Sequence, residues 1–419
     1  MLLHPELGVT LTNEACSEFR CLAESAGLEV IAEIKASRHR ADPSTLVGSG
    51  KVDELSAMLK DKEAGLLLVN GRLSPIQERN LARQLDVPVL DRTTLILDIF
   101  AQRARSHEGQ LQVELAQLRH LSTRLIRGWT HLERQRGGIG MRGPGETQLE
   151  TDRRLVAQRI RQLSARLGRV ERRRSEGRRA RDRSELPVVA LVGYTNAGKS
   201  TLFNRLTEAD VMAKDQLFAT LDPTVRRMKG DQGSQILLSD TVGFIRDLPH
   251  ELIAAFRSTL EETAQADLIL HVVDAADPDR LTYQAVVEEV LSDMGASEVP
   301  TLCVMNKVDQ TEREPGIERS ADGAIIRAHV SALTGAGIEP LQAAIRELLS
   351  QGRIQRDIAL PVTSQRLRAK LFDLGAVRSE SIEPDGTSLL SVELDRRDAQ
   401  LLGRLGGADG QMAQQLLLN

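Results

Sequence analysis

The chain has 419 residues, of which 41% are hydrophobic and 27% are charged, and its formal net charge is −4. At roughly 150 residues per domain, this length predicts two to four domains and excludes a single small module. The hydrophobic share predicts a packed core and excludes a disordered or collagen-like chain. No apolar stretch approaches the roughly 20 residues that cross a bilayer, so we expect no membrane span.

The cysteines and the amino terminus indicate the compartment. Three cysteines, Cys16, Cys21 and Cys303, are too few and too scattered for a disulfide framework or a zinc site. The first ten residues, MLLHPELGVT, lack a basic region followed by a sustained apolar segment, so they do not resemble a secretory signal. We therefore expect reduced thiols and a cytoplasmic protein; the expected assembly is a monomer.

Residues 1–100 alternate strand and helix patterns, which predicts a small α/β domain. A helix is expected after Ser74 and Pro75, because serine can cap a helix and proline fits its first turn. Short apolar runs predict strands at Leu28–Ile34, Leu66–Val69 and Val87–Leu90.

The run Gly48–Lys51 (GSGK) in this domain resembles part of a phosphate-binding loop. It lacks the first glycine of that motif and the Ser or Thr that should follow the lysine. We therefore interpret it as a turn that starts a helix. Whether the domain binds a nucleotide of its own stays open.

Charge is distributed unevenly along the chain. Between Ala101 and Pro187 there are 21 arginines, no lysine and ten acidic residues, a net charge of +11, so the remainder carries −15. An arginine-only segment in an otherwise acidic protein suggests a phosphate-binding surface, because a guanidinium group can bind two phosphate oxygens at once. A solvated helix face is the alternative on charge alone.

Residues 101–186 also carry two apolar stripes at helical spacing, which predict an antiparallel helical hairpin with its arginines outside. Between the stripes we expect a glycine-rich tip loop at Gly137–Gln148 (GGIGMRGPGETQ). It is longer than the roughly 2–8 residues usual between packed helices, which favours a contact role over the alternative, a linker without one. The stripes are Leu111, Leu115, Leu118, Leu121 and Leu125, then Val156, Ile160, Leu163, Leu167 and Val170.

A phosphate-binding loop follows the hairpin. The strand formers Val188–Val192 lead into GYTNAGKS, Gly193–Ser200, and a helical pattern comes next, which is the strand–loop–helix context of the P-loop. Backbone amides would surround the phosphates, Lys199 would reach the outer phosphates and Ser200 would hold Mg²⁺. Because ATPases and kinases share this loop, the base must be identified elsewhere.

Three further motifs follow in order, each at the end of a predicted strand. Asp240–Gly243 (DTVG) would place a carboxylate beside the metal and a glycine amide beside the γ-phosphate. In Asn306–Asp309 (NKVD), the last carboxylate can accept hydrogen bonds from N1–H and the exocyclic amine of guanine, whereas adenine would leave it unpaired. Ser331–Leu333 could contact guanine O6 through a backbone amide. Together these motifs predict a guanine-nucleotide domain over residues 187–351.

The carboxyl-terminal stretch is the least informative part of the chain. Residues 357–419 suggest a strand–helix–strand–strand–helix unit, with Asp385-Gly386 as the turn between two strands. We expect a small α+β domain there. Its role stays open.

Two of these segments carry a family resemblance. GGIGMRGPGETQLETDRR, Gly137–Arg154, and GYTNAGKSTLFN, Gly193–Asn204, resemble the HflX family of ribosome-associated GTPases, whose G domain is of the translation-factor-related class. The similarity extends over nearly the whole chain. It implies a multidomain α/β protein in which a P-loop GTPase domain, with a mainly parallel sheet flanked by helices, joins an N-terminal α/β domain and a helical hairpin. It also implies hydrolysis of GTP, with Mg²⁺ as cofactor and GTP or GDP bound.

The same resemblance implies which residues form the nucleotide and metal site. Phe218–Thr224 resembles the first switch, in which Thr220 would supply the second hydroxyl to Mg²⁺; Thr224 is the competing candidate, and we prefer Thr220. The implied catalytic residues are Lys199, Thr220 and Gly243, and the implied metal ligands are Ser200 and Thr220. The expected nucleotide-binding residues are Gly193, Tyr194, Thr195, Asn196, Ala197, Gly198, Lys199, Ser200, Thr201, Phe218, Ala219, Thr220, Leu221, Asp222, Asp240, Thr241, Val242, Gly243, Asn306, Lys307, Val308, Asp309, Ser331, Ala332 and Leu333.

The resemblance further implies a partner, the large ribosomal subunit and its RNA, or whole ribosomes, with hydrolysis stimulated by contact. Family members are associated with separating stalled or idle ribosomes, and a role in subunit biogenesis is also proposed. The glycine-rich tip would approach the peptidyl transferase region. The expected ribosomal RNA contacts are Arg136, Gly137, Gly138, Arg142, Gly143 and Gly145.

One position departs from many small GTPases. The residue after Gly243 is Phe244, where those enzymes have a glutamine that orients the attacking water. An apolar ring cannot make that hydrogen bond, so we expect slow intrinsic hydrolysis that a partner accelerates. The segment through Leu248 and Pro249 would be the second switch. Two alternatives stay open: a ribosome-assembly or RNA-modification GTPase, and an RNA-binding protein that uses GTP only as a switch.

Overall fold

The computed structural model describes residues 1–8, 11–133, 144–182, 186–207, 217–218, 224–228, 236–246, 252, 263–351, 353–403 and 405–418. In chain order these residues form an α/β domain, a helical hairpin, a P-loop domain and a small α+β domain. The expected multidomain α/β fold is therefore confirmed. Within the described ranges, no helix is long and apolar enough to cross a membrane.

The N-terminal domain is built on a parallel sheet. Its elements are β1 (Leu2–Leu7), α1 (Asn13–Ser25), β2 (Glu33–Arg38), α2 (Ser49–Asp61), β3 (Leu67–Val69), α3 (Pro75–Leu85), β4 (Val89–Asp91) and α4 (Arg92–Arg103). The four strands lie in the order β2-β1-β3-β4, and every neighbouring pair is parallel. The buried apolar side chains of α2 and α3 pack with those of β1 to β4.

Two predicted helix starts in this domain are confirmed. The Ser74 hydroxyl accepts from the Gln77 amide at 3.2 Å, and the Gln77 side chain accepts from the Ser74 amide at 2.9 Å, a reciprocal cap with Pro75 in the first turn of α3. α2 begins at Ser49, so Gly48–Lys51 does form a helix-start turn.

The strand predicted at Leu28–Ile34 is wrong in its extent, because β2 begins only at Glu33. Leu2, the first residue of β1, is paired with Glu33 in the parallel register. The pairing starts where the Leu2 amide donates to the Ala32 carbonyl at 2.9 Å. Residues 28–31 precede this contact, and an apolar run without a partner strand does not become a strand.

The hairpin consists of two long helices, α5 (His107–Glu133) and α6 (Pro144–Asp182). The predicted stripes meet in an apolar cluster, which contains Leu111, Leu115, Leu118, Ile160, Leu163 and Leu167. Arg159 of α6 also pairs with Glu114 of α5 at 2.6 Å. Leu121 was wrongly placed in the stripe, since it is 45% exposed.

The predicted tip loop also needs correction. α6 begins at Pro144, so Pro144–Gln148 is helical and does not belong to a loop ending at Gln148. Proline suits the first position of a helix because its fixed φ is helical and its missing amide costs no hydrogen bond there.

The P-loop domain is a larger, mainly parallel sheet flanked by helices. Its elements are β5 (Val188–Gly193), α7 (Lys199–Leu206), β6 (Thr224–Arg227), β7 (Leu237–Asp240), β8 (Leu268–Asp274), α8 (Arg280–Asp293), β9 (Thr301–Asn306), a 3-10 turn (Val308–Gln310), β10 (Gly316–Arg319), β11 (Ile325–His329) and α9 (Ile338–Gln351). The strand order is β10-β11-β9-β8-β5-β7-β6, antiparallel only at its two edge pairs. In such a sheet the carboxyl ends of the parallel strands share one edge, where ligands bind.

The C-terminal domain is an antiparallel sheet with helices. Its elements are β12 (Arg353–Leu360), a 3-10 turn (Val362–Ser364), α10 (Gln365–Asp373), β13 (Val377–Ile382), β14 (Ser388–Asp395), α11 (Arg396–Gly403), α12 (Ala408–Ala413) and a π-helical turn (Gln414–Leu418). The strand order is β12-β14-β13. The predicted element order and the turn at Gly386, where φ is +87°, are confirmed; β12 begins four residues before the expected start of the domain at 357.

One apolar core joins the N-terminal and P-loop domains. It includes Phe100 of α4 together with Phe218 and Phe244 of the P-loop domain. The rings of Phe100 and Phe218 lie 4.6 Å apart. The Leu217 amide also donates to the Ser25 hydroxyl at 3.2 Å. The N-terminal domain therefore packs directly against segments beside the P-loop.

Candidate nucleotide site

The P-loop, residues 193–200, connects β5 to α7 as predicted, and its backbone leaves no room for side chains at two glycines. A Cβ on Gly193 would lie 2.2 Å from the Val272 carbonyl oxygen, and one on Gly198 would lie 2.2 Å from Asn306 Nδ2. Gly193, Asn196 and Gly198 all have positive φ. The loop is thus a tight backbone turn at the carboxyl end of β5, which suits amides that surround phosphate.

Lys199 is the buried cation of this site. Its side chain is 7% exposed, and Nζ donates to the carbonyl oxygens of Gly193 at 3.0 Å and Tyr194 at 2.7 Å. Burial lowers the pKa of Lys199 to about 8, and the Asp240 carboxylate partly opposes this. These two backbone bonds hold the ammonium group over the loop.

Ser200 and Asp240 form an oxygen pair where a metal was predicted. The Ser200 hydroxyl donates to Asp240 Oδ2 at 3.0 Å, and Asp240 is fully buried at the end of β7, which lies beside β5. Hydroxyl and carboxylate oxygens are ligands that Mg²⁺ accepts, so these residues fit the cofactor. Among the described residues, no cluster of three or more His, Cys, Asp or Glu side chains offers another metal site.

The first switch is described only in part. Thr224 opens β6 and lies opposite Asp240 in the antiparallel pair, which brings the competing hydroxyl close to the predicted metal. Phe218 lies in the shared core. The other predicted switch residues lie outside the described residues: Ala219, Thr220, Leu221 and Asp222.

Gly243 lies against the P-loop. A Cβ on Gly243 would be 2.9 Å from Thr195 Cγ2 and 3.0 Å from Lys199 Nζ. The next residue, Phe244, accepts from the Thr195 amide at 2.7 Å and donates its own amide to the Gly193 carbonyl at 3.1 Å. This backbone bridge fixes the distance between Gly243 and the cation.

Asn306 connects the loops after β5, β9 and β11. Its Nδ2 donates to the Ala197 carbonyl at 2.8 Å, and its Oδ1 accepts from the Ala332 amide at 2.9 Å. Asp309 lies in the exposed 3-10 turn that follows β9. The Asn306 side chain therefore binds other parts of the protein, while the Asp309 carboxylate is accessible to a nucleotide base.

Two polar residues beside this edge had not been predicted. Arg205 of α7 donates to the carbonyl oxygens of Ala332 at 3.0 Å and Leu333 at 2.6 Å, which holds the last motif in place. Asp274, the last residue of β8, pairs with Lys307 at 2.7 Å. A carboxylate directly after the apolar run of β8 is the same signal that located Asp240, so Asp274 could have been found in this way.

The structure thus brings together the predicted residues at the ends of β5, β7, β9 and β11, including Thr201, Thr241, Val242, Val308 and Ser331. The predicted ribosomal RNA contacts belong to the hairpin segment, residues 101–186. Gly145 lies in the first turn of α6, and the others lie outside the described residues: Arg136, Gly137, Gly138, Arg142 and Gly143.

Comparison with known proteins identifies the family to which this chain belongs. Family models match consecutive stretches: GTP-binding GTPase N-terminal at residues 13–101, GTP-binding GTPase middle region at 103–181, 50S ribosome-binding GTPase at 188–307 and HflX C-terminal domain at 317–416. GTPase HflX of Escherichia coli is 54% identical over 91% of this chain and 90% of that protein. The chain belongs to the HflX family.

The comparisons also include a second HflX protein and a solved structure. GTPase HflX of Magnetococcus marinus is 49% identical over 95% of this chain and 92% of that protein. A crystal structure of an SsGBP and GDP complex is 25% identical, with a TM-score of 0.48, and covers 84% of this chain and 98% of that one. As an HflX protein, the chain is a GTP-binding GTP hydrolase, as the sequence resemblance predicted.

Proposed function

We propose that this HflX protein hydrolyses GTP when it contacts the large ribosomal subunit and thereby separates stalled or idle ribosomes. The family model matched at residues 188–307 is named for 50S ribosome binding, which supports the partner. The observation that carries the proposal is Phe244, which stands where a water-orienting side chain would be needed.

The P-loop residues bind the phosphates in this proposal. Backbone amides of the P-loop other than that of Thr195, together with the Lys199 ammonium, face the outer phosphates, and Gly243 offers its amide to the γ-phosphate. Ser200 and Asp240, with Thr220 or Thr224, would hold Mg²⁺. When bound, Mg²⁺ would neutralise charge that develops on the phosphate oxygens. Asp309 reads guanine, because its exposed carboxylate can pair with N1–H and the exocyclic amine.

Phe244 leaves the site incomplete. Its side chain is 2% exposed and packs in the core shared with the N-terminal domain, while its backbone bridges to the P-loop. It can therefore neither orient water nor leave its place without opening that core. We infer that a group from the ribosome orients the attacking water, and that GTP hydrolysis is slow without it.

The hairpin supplies the RNA-binding surface. Arg161, Arg166 and Arg169 are exposed on α6, and their spacing of five and three residues places them on one side of the helix. Phosphate is the ligand that such an arginine face binds. The glycine-rich stretch before Pro144 would extend this contact to ribosomal RNA. A ribosomal partner would also mean a cytoplasmic protein, which we propose acts as a monomer.

The decisive experiment measures GTP hydrolysis by the full-length protein with and without purified large ribosomal subunits. We expect subunits to raise kcat by at least one order of magnitude, because preorganised groups of this kind contribute about 10²–10³ in rate. Single-stranded RNA of equal phosphate concentration serves as the control for charge alone. Equal stimulation by that RNA would move the proposal toward an RNA-binding GTPase of another kind.

An Asp309→Asn variant distinguishes the nucleotide roles. We expect it to lose stimulated GTP turnover and to recover turnover with xanthosine triphosphate, because the amide NH2 now offers a donor where the exocyclic amine of guanine needs an acceptor and where xanthine has a carbonyl oxygen. Unchanged guanine selectivity would contradict the role of Asp309. No stimulation by subunits, with nucleotide binding intact, would contradict the ribosomal partner.

A further inference from the structure

Tyr194, the second residue of the P-loop, connects the loop to another domain. Its backbone carbonyl accepts from Lys199 Nζ at 2.7 Å, so its main chain belongs to the nucleotide site. Its ring stacks on Tyr283 of α8, with centroids 4.1 Å apart and planes 16° from parallel. This stack fixes the ring, and the hydroxyl at its tip is left to bond elsewhere.

The Tyr194 hydroxyl makes two hydrogen bonds to different parts of the chain. It donates to the Glu18 carboxylate of α1, in the N-terminal domain. It accepts from the Arg246 amide at 2.9 Å, three residues after Gly243. One hydroxyl therefore ties the segment that follows Gly243 to a helix of the other domain.

Arg92 completes the arrangement. Its guanidinium donates to the Glu18 carboxylate, and its Nη2 also donates to the Arg246 carbonyl at 3.3 Å. Both backbone polar groups of Arg246 are thus held, the amide by a tyrosine and the carbonyl by an arginine. The side chains of Arg92 and Glu18 are only 6% and 9% exposed.

Burial keeps the Tyr194 hydroxyl protonated and largely shields its hydrogen bonds from solvent. The pKa of Tyr194 is raised above its ordinary value, chiefly by burial and then by the nearby Glu18 charge, so the hydroxyl keeps its proton and remains a donor. In a site that excludes water, a polar group that loses its partner is not compensated by solvent. The Arg246 amide is therefore held by the hydroxyl in a defined position.

The anchored segment begins next to the reacting groups. Gly243 lies close to Thr195 and Lys199, and the Phe244 backbone bridges to the P-loop on the amino-terminal side of Arg246. The Tyr194 hydroxyl anchors the chain just beyond that bridge. Misplacement by about 1 Å can cost about 10²-fold in rate for groups that contact a reacting centre.

We propose that the Tyr194 hydroxyl is a positioning group for GTP hydrolysis: it holds the Arg246 peptide so that Gly243 stays in place beside Lys199, and Glu18 of α1 holds the hydroxyl. The proposal rests on the proposed contact of Gly243 and Lys199 with the γ-phosphate. Tyr194 touches no reacting atom through its hydroxyl and acts through Gly243.

A Tyr194→Phe variant of the full-length protein tests this in the absence of ribosomes. It keeps the ring stack and loses only the hydroxyl. We expect intrinsic kcat to fall by about three- to tenfold, the effect of one well-placed hydrogen bond. We expect KM for GTP to change less than twofold, because the backbone of residue 194 and Lys199 remain. A structural role alone would lower the thermal unfolding midpoint and leave kcat unchanged.

Tyr283→Phe is the matched control, since it removes the hydroxyl from the other ring of the same stack, for which the described residues provide no hydrogen bond. We expect it to keep wild-type kcat and KM. An equal loss of kcat in Tyr283→Phe would overturn the proposal. A normal or increased kcat in Tyr194→Phe would overturn it as well.

Glu18→Gln tests the second step. The glutamine offers one acceptor where Tyr194 and Arg92 direct two donors, so the hydroxyl is held less firmly. We expect kcat to fall, and the double variant with Tyr194→Phe to lose less than the product of the two single losses, because Glu18 also holds Arg92, which binds the Arg246 carbonyl. Losses that multiply would show two independent effects and overturn the relay through Glu18.

The proposed nucleotide site can fail separately. If Lys199→Ala retains wild-type turnover, the assignment of the γ-phosphate contacts is wrong. If Lys199→Ala is inactive and Tyr194→Phe has normal kcat, only the positioning role is wrong.

Discussion

Two cationic regions of this protein differ in their exposure to water: one is buried and the other is exposed. Lys199 is 7% exposed, and its ammonium group is held by two carbonyl oxygens of the P-loop. On α6, by contrast, Arg161, Arg166 and Arg169 are exposed to solvent. A buried, fixed cation suits a phosphate that must sit in one place, because it needs no rearrangement when the ligand arrives. Exposed arginines suit a large partner whose phosphates are bound collectively and in a salt-dependent way.

The largest effect should come from the buried cation. We expect Lys199→Ala to lower kcat/KM for GTP by about 10²–10³, because no other described cation is held over the P-loop at this position. Steady-state GTP hydrolysis measures this. A normal kcat/KM would remove Lys199 from the site.

Lys51 provides a matched control for that experiment. It belongs to the Gly48–Lys51 run of the N-terminal domain and pairs with Glu54 within α2 at 2.8 Å. We expect Lys51→Ala to change kcat/KM less than twofold. A loss as large as that of Lys199→Ala would indicate a second phosphate site in the N-terminal domain.

The next effect should come from the exposed arginines. We expect Arg161, Arg166 and Arg169, replaced together by alanine, to weaken binding to large ribosomal subunits about 10- to 100-fold at 0.15 M salt. The slope of log affinity against log salt should become shallower by about two units, since up to three phosphate contacts are lost.

The exposed Arg356 of β12, replaced by alanine, is the control for a general loss of positive charge. We expect it to keep the wild-type slope and affinity. If the triple variant keeps the wild-type slope, the arginine face of α6 does not bind the subunit.

The smallest effect is a pH dependence of the buried cation. The pKa of Lys199 is lowered to about 8 from 10.5 in the folded protein, first by burial, so its ammonium loses a proton within reach of ordinary buffers. Between these two values the unfolded chain holds the proton that the folded protein lacks, so this group raises the stability of the folded state as pH rises.

Phosphate binding should show the opposite trend, because it requires the charged form. We expect GTP affinity to fall up to about tenfold between pH 7 and pH 9. The neighbouring His271 does not titrate there, because burial and Lys199 lower its pKa to about 4. Titrations of GTP binding across this range measure the effect, with Lys199→Ala as the reference that should lack it. A flat profile in the wild type would contradict the loss of the Lys199 proton in this pH range.

The comparison also explains what the sequence could predict. Each nucleotide motif comes at the end of an apolar strand: the P-loop, Asp240, Asn306 and Ser331. Parallel strands bring their carboxyl ends to one edge of the sheet, irrespective of the loop conformations. The nucleotide edge was therefore predictable from the predicted strands and the motifs that follow them. The extent of the strand predicted at Leu28–Ile34 was not predictable in this way. It depends on where β1 begins, and Leu2 of β1 pairs with Glu33, 31 residues further along the chain.

Contacts between domains were beyond prediction for the same reason. Glu18 and Tyr194 are 176 residues apart, and nothing in the pattern of α1 distinguishes Glu18 from a solvated glutamate. Leu121 continues a helical stripe and is nevertheless exposed, while Leu111, Leu115 and Leu118 of the same stripe pack with residues of α6. Periodicity identifies a face of a helix and does not tell which partner covers it, or how far.

Asn306 gives the nucleotide edge a further property. By holding the Ala197 carbonyl and the Ala332 amide at once, it keeps two loops from distant parts of the chain at a fixed separation. A ligand that reaches both loops behaves as a bivalent one: once its first half is bound, its second half is present at a high effective concentration. Because the spacing is preset, we expect little entropy to be lost in the second contact, and a nucleotide to bind more tightly than a nucleoside or a free pyrophosphate.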